Sequence, residues 1–229
     1  MSESAAAERG VLYMVWGEGV ESVLDRSMKS LRHFHPELPI HVERMPTGSS
    51  FLDKARMFAC APFEQTLFLD ADTVVLDRLD FGFEMAQRFG LACCICECPW
   101  ARRYGDGTLR GDLVEYNTGV LFFAKAAAGL FGEWEKQAAA VDSSIVFYRG
   151  QQLCRMPCND QAGFAKAVAE THFNPFVLPC NWNFRPKWQR TLWGPIKIWH
   201  DYDPVPEPVE RFVAGQREES SVIRWAQFA

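Results

Sequence analysis

Thr66-Leu67-Phe68-Leu69-Asp70-Ala71-Asp72-Thr73-Val74-Val75-Leu76 is the stretch on which the reading of the whole chain turns. Thr66 to Leu69 reads as a short buried strand, and Val74 to Leu76 resumes the apolar pattern. Two carboxylates, one small residue apart, therefore stand at a strand end inside an ordered core. Burying unpaired carboxylates costs on the order of several kcal/mol unless a cation or a positive neighbour offsets it. The pattern points to a divalent metal at the carboxyl edge of a sheet, a place where nucleotide diphosphates commonly bind. Asp-x-Asp also occurs in turns, where the side chains accept from nearby backbone amides. The surrounding chain has to separate the two.

Towards the N-terminus, Val11 to Trp16 is an apolar strand ending in Gly17-Glu18-Gly19, followed by an amphipathic helix over Val20 to Phe34. This glycine turn is too short for a dinucleotide fingerprint, but a base and ribose often lie at the end of a first strand. Trp16 is placed either to stack on a base or to pack against the helix. Ile40 to Val42 gives a second strand. A polar break then opens a helix over Leu52 to Cys60, whose Lys54 faces either the acidic cleft or solvent.

Towards the C-terminus come a helix near Phe83 to Phe89, a cysteine-rich strand Leu91 to Cys96, and a loop Ala101 to Asp112 with Arg102, Arg103, Arg110 and glycines, the composition of a mobile lid or acceptor loop and also of an ordinary surface loop. Glu115 to Phe123 is a strand with a polar front end, and its Asn117 amide suits sugar hydroxyls or backbone groups. A helix follows over Ala124 to Val141. Asn159-Asp160-Gln161 opens another through Glu170, where an acid is expected simply as a cap. Phe176 to Leu178 is a late strand, and the tract Pro179 to Trp193, with Asn181, Trp182, Asn183, Phe184, Arg185 and Trp188, suits carbohydrate or plain core. Ile196 to Asp201 ends the pattern with His200, whose neutral imidazole can hold a divalent metal.

Strands alternating with helices predict an α/β fold. The 229 residues suit one domain, 1–229, with 1–9 disordered and 204–229 a tail of one or two short helices packing back. A hydrophobic share of 48% supplies a sizeable core. The net charge of −5, without a long basic run, argues against nucleic acid as a partner. The polar, Ala-rich start lacks the order of a secretory signal, and no run is long enough to span a membrane. Cys93, Cys94, Cys96 and Cys98 are neighbours in one strand, cannot easily bridge, and read as reduced thiols of a cytoplasmic protein. A homo-oligomer is compatible with all of this.

An apolar strand leading into Asp-x-Asp-Thr-Val resembles the first motif of the haloacid dehalogenase-type phosphatases, in which Asp70 would be the nucleophile and Asp72 the acid. That family carries its pair after the first strand, whereas Val11 to Trp16 comes first here. As a set, Lys54, Phe68-Leu69-Asp70-Ala71-Asp72-Thr73, Tyr116-Asn117-Thr118-Gly119-Val120, Asp160-Gln161 and the final strand with His200 resemble the family 8 glycosyltransferases. The resemblance spans about Val11 to Asp201. It implies a GT-A fold, with a single mixed, mostly parallel sheet flanked by helices. It also implies transfer of a hexose, with retention, from a uridine diphosphate sugar to a carbohydrate, lipid or protein acceptor.

By the same resemblance, Asp70, Asp72 and His200 would hold Mn²⁺ or Mg²⁺, with Asp70 and Ala71 also near the donor. Lys54 would reach donor hydroxyls or phosphate. Asn117, Thr118 and Asp160 would hold the transferred sugar, Asp160 and Gln161 would face the reacting carbon, and Tyr13, Val15 and Trp16 would cradle the nucleotide. Where the family follows its metal histidine with a Gly-x-x-Lys-Pro-Trp-like tract, whose lysine binds phosphate, this chain has Asp201-Tyr202-Asp203-Pro204. That departure motivates a third reading, a sugar-nucleotide-binding protein without turnover.

Overall fold

The computed structural model describes residues 8–97, 103–218 and 224–227. In chain order the first elements are β1 (Arg9–Val15), α1 (Val20–Phe34), β2 (Ile40–Arg44), a 3-10 turn (Phe51–Arg56) running into α2 (Met57–Cys60), β3 (Gln65–Leu69), β4 (Thr73–Val75), α3 (Asp80–Phe89) and β5 (Leu91–Ile95). There follow β6 (Tyr116–Ala124), α4 (Ala128–Ala140), β7 (Ile145–Arg149), β8 (Gln152–Met156), α5 (Asp160–Glu170) and β9 (Phe176–Leu178). The last are β10 (Thr191–Trp193), β11 (Ile198–His200), α6 (Glu207–Glu218) and β12 (Trp225–Gln227).

Six strands form the central sheet in the order β2-β1-β3-β6-β5-β9. The pairs β1 with β2, β1 with β3 and β5 with β9 are parallel, while β6 runs antiparallel to both neighbours, β3 and β5. Five strands thus share one direction and β6 opposes them. Period-two alternation sends Leu12, Phe68, Leu121 and Phe123 to one face, against α4 and α5, and Val11, Tyr13, Leu67, Leu69 and Phe122 to the other, against α1 and α3. Both faces are covered, which explains why these strands read as near-continuous apolar runs.

Reversal of β6 has a local consequence: its first residues lie beside the last residues of β3. Leu69 pairs with Val120, and the Asp70 amide donates to the Gly119 carbonyl at 2.8 Å. On the far side of the acidic turn, β4 pairs antiparallel with β11, setting Thr73 opposite His200. The C-terminal part is tied on by a third apolar cluster, in which Val74, Leu76 and Trp199 meet Val209 and Val213 of α6.

Several boundaries differ from expectation. The first strand begins at Arg9, where the Gln65 amide donates to the Glu8 carbonyl, so order starts before residue 10. Lys54 lies on a 3-10 turn rather than within one helix, because Ser50 and Asp53 close a tight cap there: the Leu52 amide donates to Ser50 Oγ and the Ser50 amide to Asp53 Oδ2. The ribbon β7–β8 was not foreseen, and the tail contributes β12, paired with β10, as well as a helix. Of the loop 101–112, residues 101 and 102 lie outside the described residues, as does Cys98. The rest is held down, the Gly105 amide donating to the Ser144 carbonyl and the Asp106 amide to that of Asp142.

Candidate active site

Asp70, Asp72 and His200 each offer one ligand atom within 4.8 Å of the others. His200 Nε2 lies 3.3 Å from Asp72 Oδ1 and 3.8 Å from Asp70 Oδ2. The other ring nitrogen, Nδ1, lies 2.8 Å from Asn183 Oδ1. A carbonyl oxygen only accepts, so Nδ1–H donates to Asn183 and Nε2 is the ring nitrogen aimed at the acids. Gly119 makes the approach possible, since a Cβ there would stand 2.4 Å from His200 Cε1 and 2.6 Å from Asp70 Oδ2. A glycine inside a strand marks such a close approach.

Lys54 is buried and reaches both sides of the cleft. Its Nζ is 2.8 Å from Asp70 Oδ1 and 3.2 Å from Asp160 Oδ2, and it sits over the Phe68 ring at 5.2 Å. Burial works to discharge this ammonium, but the Asp160 and Asp70 carboxylates outweigh it and hold its pKa above the ordinary lysine value. Burial likewise raises the Asp70 carboxyl, against the pull of Lys54 and His200 and with the Asp72 charge adding to it. For Asp72, burial is overcome by hydrogen bonding to and charge from His200, so its pKa falls. Three carboxylates, Asp70, Asp72 and Asp160, against the one Lys54 ammonium leave two negative charges, the complement of a divalent cation. Two carboxylate oxygens and an imidazole nitrogen suit Mn²⁺ or Mg²⁺, with the nitrogen favouring Mn²⁺.

The remaining candidates surround this cluster. Thr118 donates to Asp160 Oδ2, the Trp134 indole to the Asp160 carbonyl at 3.3 Å, and the Asn159 side chain caps α5 by accepting from the Gln161 amide at 2.8 Å. Asn117 Oδ1 accepts from the Gly119 amide at 2.9 Å, and Gln161 Nε2 donates to Cys96 Sγ at 3.4 Å. Ala71 is half-buried against the core. Tyr13 and Val15 are core side chains. The Tyr13 hydroxyl pairs with Ser27 Oγ at 2.9 Å, Ser27 with Thr73 Oγ1 at 3.0 Å, and Thr73 Oγ1 donates to the Asp70 carbonyl at 2.8 Å. Tyr13 thus braces the acidic turn from beneath. Trp16 is half-buried and edge-on to Phe51, ring centroids 5.8 Å apart.

No family model matches the chain, and no curated protein matches it. Solved structures do. Apo mouse xyloside xylosyltransferase 1 superposes with a TM-score of 0.55 at 15% identity, covering 87% of this chain and 100% of that one. A glycosyltransferase involved in glycosylation of the major capsid of PBCV-1 gives 0.55 at 13% identity, over 91% and 99%. Galactosyltransferase LgtC, in complex with donor and acceptor sugar analogs, gives 0.52 at 15%, over 93% and 97%.

The fold is that of the GT-A glycosyltransferases.

Within this GT-A fold, Asp70, Asp72, His200, Lys54, Thr118 and Asp160 come together, while Tyr13 and Val15 are set in the core beneath. Asn183, which orients His200, was named in the sequence only within a tract suited to carbohydrate or plain core, not as a partner of His200. Gly119 was quoted only as part of a motif, although a glycine among apolar strand residues was the available signal. The order of elements also departs from the phosphatase arrangement, since Asp70 closes β3 rather than the first strand.

Proposed function

We propose that this chain is a metal-dependent glycosyltransferase of the family 8 type, moving a hexose from a nucleoside diphosphate sugar, with uridine as the base, to a carbohydrate, lipid or protein acceptor with retention of configuration. The observation that carries this reading is the convergence of Asp70, Asp72 and His200 Nε2 at the carboxyl end of β3, with a buried Lys54 beside them. These three side chains would hold Mn²⁺ or Mg²⁺, which when bound supplies Lewis-acid stabilisation of the departing diphosphate.

The chain's own residues do the rest. Lys54, kept charged between Asp70 and Asp160, adds fixed positive charge at the donor. Asp160, held by Lys54 and Thr118, accepts from a hydroxyl of the transferred sugar, and the Asn117 amide donates to another. Gln161, at the start of α5, faces the reacting carbon, and the ends of β1 and of the Gly17-Glu18-Gly19 turn line the nucleotide. Transfer on one face needs no protein nucleophile: the acceptor oxygen bonds to the anomeric carbon as the bond to the phosphate oxygen breaks. The acceptor's proton passes to that oxygen.

A melting panel of nucleotide sugars with and without Mn²⁺ tests this, because a ligand that binds the folded state raises its apparent stability. A uridine diphosphate sugar is expected to raise the melting temperature only with metal, and Asp72→Ala to abolish the rise. An undiminished rise in that variant refutes the assignment. Metal-dependent binding with neither hydrolysis nor transfer to any acceptor tried identifies instead a sugar-nucleotide-binding protein.

A further inference from the structure

Next to the Asp72 and His200 edge lies a cavity of about 90 Å³ lined by Asp72, Arg185, Lys187, His200, Asp201 and Tyr202. A larger one, about 310 Å³, is lined by Phe184, Leu192, Trp199 and Val209 among others. Trp199 lines the larger space and His200, the next residue of β11, the smaller one, and the two spaces share Lys187 and Asp201. The smaller cavity has room for about one phosphoryl group, taking a water's share of volume as about 30 Å³.

Two of its six lining residues are cations. Arg185 Nη1 lies 3.2 Å from Glu97 Oε2, and Lys187 Nζ lies 3.1 Å from Asp201 Oδ1. The Lys187 side chain is 64% exposed and that of Asp201 5%, so the lysine reaches in from solvent. The exposed ammonium can turn to a second anion, while the Asp203 amide still donates to Asp201 Oδ1 at 3.1 Å. Below, Arg26 donates to the Asp201 and Tyr202 carbonyls at 2.9 and 2.8 Å, fixing the rim. The charge balance asks for such cations. Asp70 and Asp72 neutralise a divalent metal between them, so a diphosphate beside it draws on side-chain cations: Lys54 and, lining this cavity, Arg185 and Lys187.

We propose that Arg185 and Lys187 form the phosphate-binding arm of the donor site, replacing the lysine absent after His200 and supplied instead from the segment before β11. The planar guanidinium takes two phosphate oxygens and the ammonium adds a point charge, with Glu97 and Asp201 holding both side chains in place until the anion arrives. This rests on the metal-dependent donor site proposed above.

The test is calorimetric titration of UDP, GDP and inorganic pyrophosphate in Mn²⁺ into wild type, Arg185→Gln, Lys187→Gln and the double variant, with Mn²⁺ alone titrated separately. Glutamine retains a hydrogen-bond donor for Glu97 or Asp201, and unchanged melting of the metal-free variants certifies the fold. Each single change should weaken the phosphate ligands about tenfold or more, and the double change further. Uridine and Mn²⁺ alone should bind as to wild type, and Arg185→Lys should recover part of the loss. Wild-type affinity for UDP and pyrophosphate in the double variant overturns the proposal while leaving the metal site standing. A wild-type protein that binds no Mn²⁺ overturns both.

Discussion

Asn183 determines which nitrogen of His200 faces the acids, and it does so from a buried position where no water competes. Asn183→Ala should therefore lower Mn²⁺ affinity about 10- to 100-fold, as loss of a ligand's outer hydrogen bond does. Asn183→Asp, which still accepts from Nδ1, should retain it. Titration followed by the electron paramagnetic resonance of free Mn²⁺ decides, and equal affinity in the alanine variant would deny Asn183 this role. Asp70 presents the opposite balance. Burial lifts its carboxyl above the ordinary range despite Lys54 and His200, so ionising it at neutral pH costs the folded state. A group raised this way favours folding below its unfolded pKa of about 3.9 and loses that contribution as pH rises through the folded value. Asp70→Asn removes the charge: in EDTA the variant should melt above wild type, and with Mn²⁺ it should show no rise. A lower melting temperature in EDTA would contradict this.

Among the elements, the 3-10 turn that presents Lys54 depends on its cap. Ser50→Ala removes the acceptor for the Leu52 amide, and should lower unfolding stability in urea by about 1 kcal/mol while leaving Mn²⁺ affinity unchanged, since no metal ligand lies on that turn. Cap and turn were hidden in a sequence that reads as one helix from Leu52 to Cys60. The strands were legible for a physical reason: Val11–Val15, Leu67–Leu69 and Val120–Phe123 are buried on both faces and read as unbroken apolar runs. β7 and β8 were not, because Val146, Tyr148 and Leu153 lie exposed on a two-stranded ribbon whose composition is not constrained by a core. The acidic pair was legible because it is local. His200 was legible as a residue able to hold a metal, but only the order of motifs joined it to the acids, for what brings it to them is the pairing of β4 with β11, which no spacing encodes. Arg185 and Lys187 were passed over as members of an aromatic tract, since their ion pairs reach Glu97 and Asp201 across the fold.

Over the whole molecule, the seven described cysteines are free thiols at very different depths. Cys93, Cys94 and Cys96 are buried in or beside β5, and burial pushes the Cys93 and Cys94 thiols well above their usual range. A thiolate is needed for alkylation. Native protein at mildly alkaline pH should thus be labelled by iodoacetamide at exposed Cys180 first, with these three modified only in denaturant; mass spectrometry of the peptides gives the order. No helix among the described residues is long and apolar enough to cross a membrane. The antiparallel join of β4 to β11 carries one last implication, concerning synthesis. Asp70 and Asp72 leave the ribosome long before His200, and β6, α5 and Asn183 intervene. The sheet can begin to assemble on a nascent chain, but its cation-binding centre stays incomplete until residue 200 has been translated. A chain stalled before residue 198 should therefore be a folding intermediate blind to manganese.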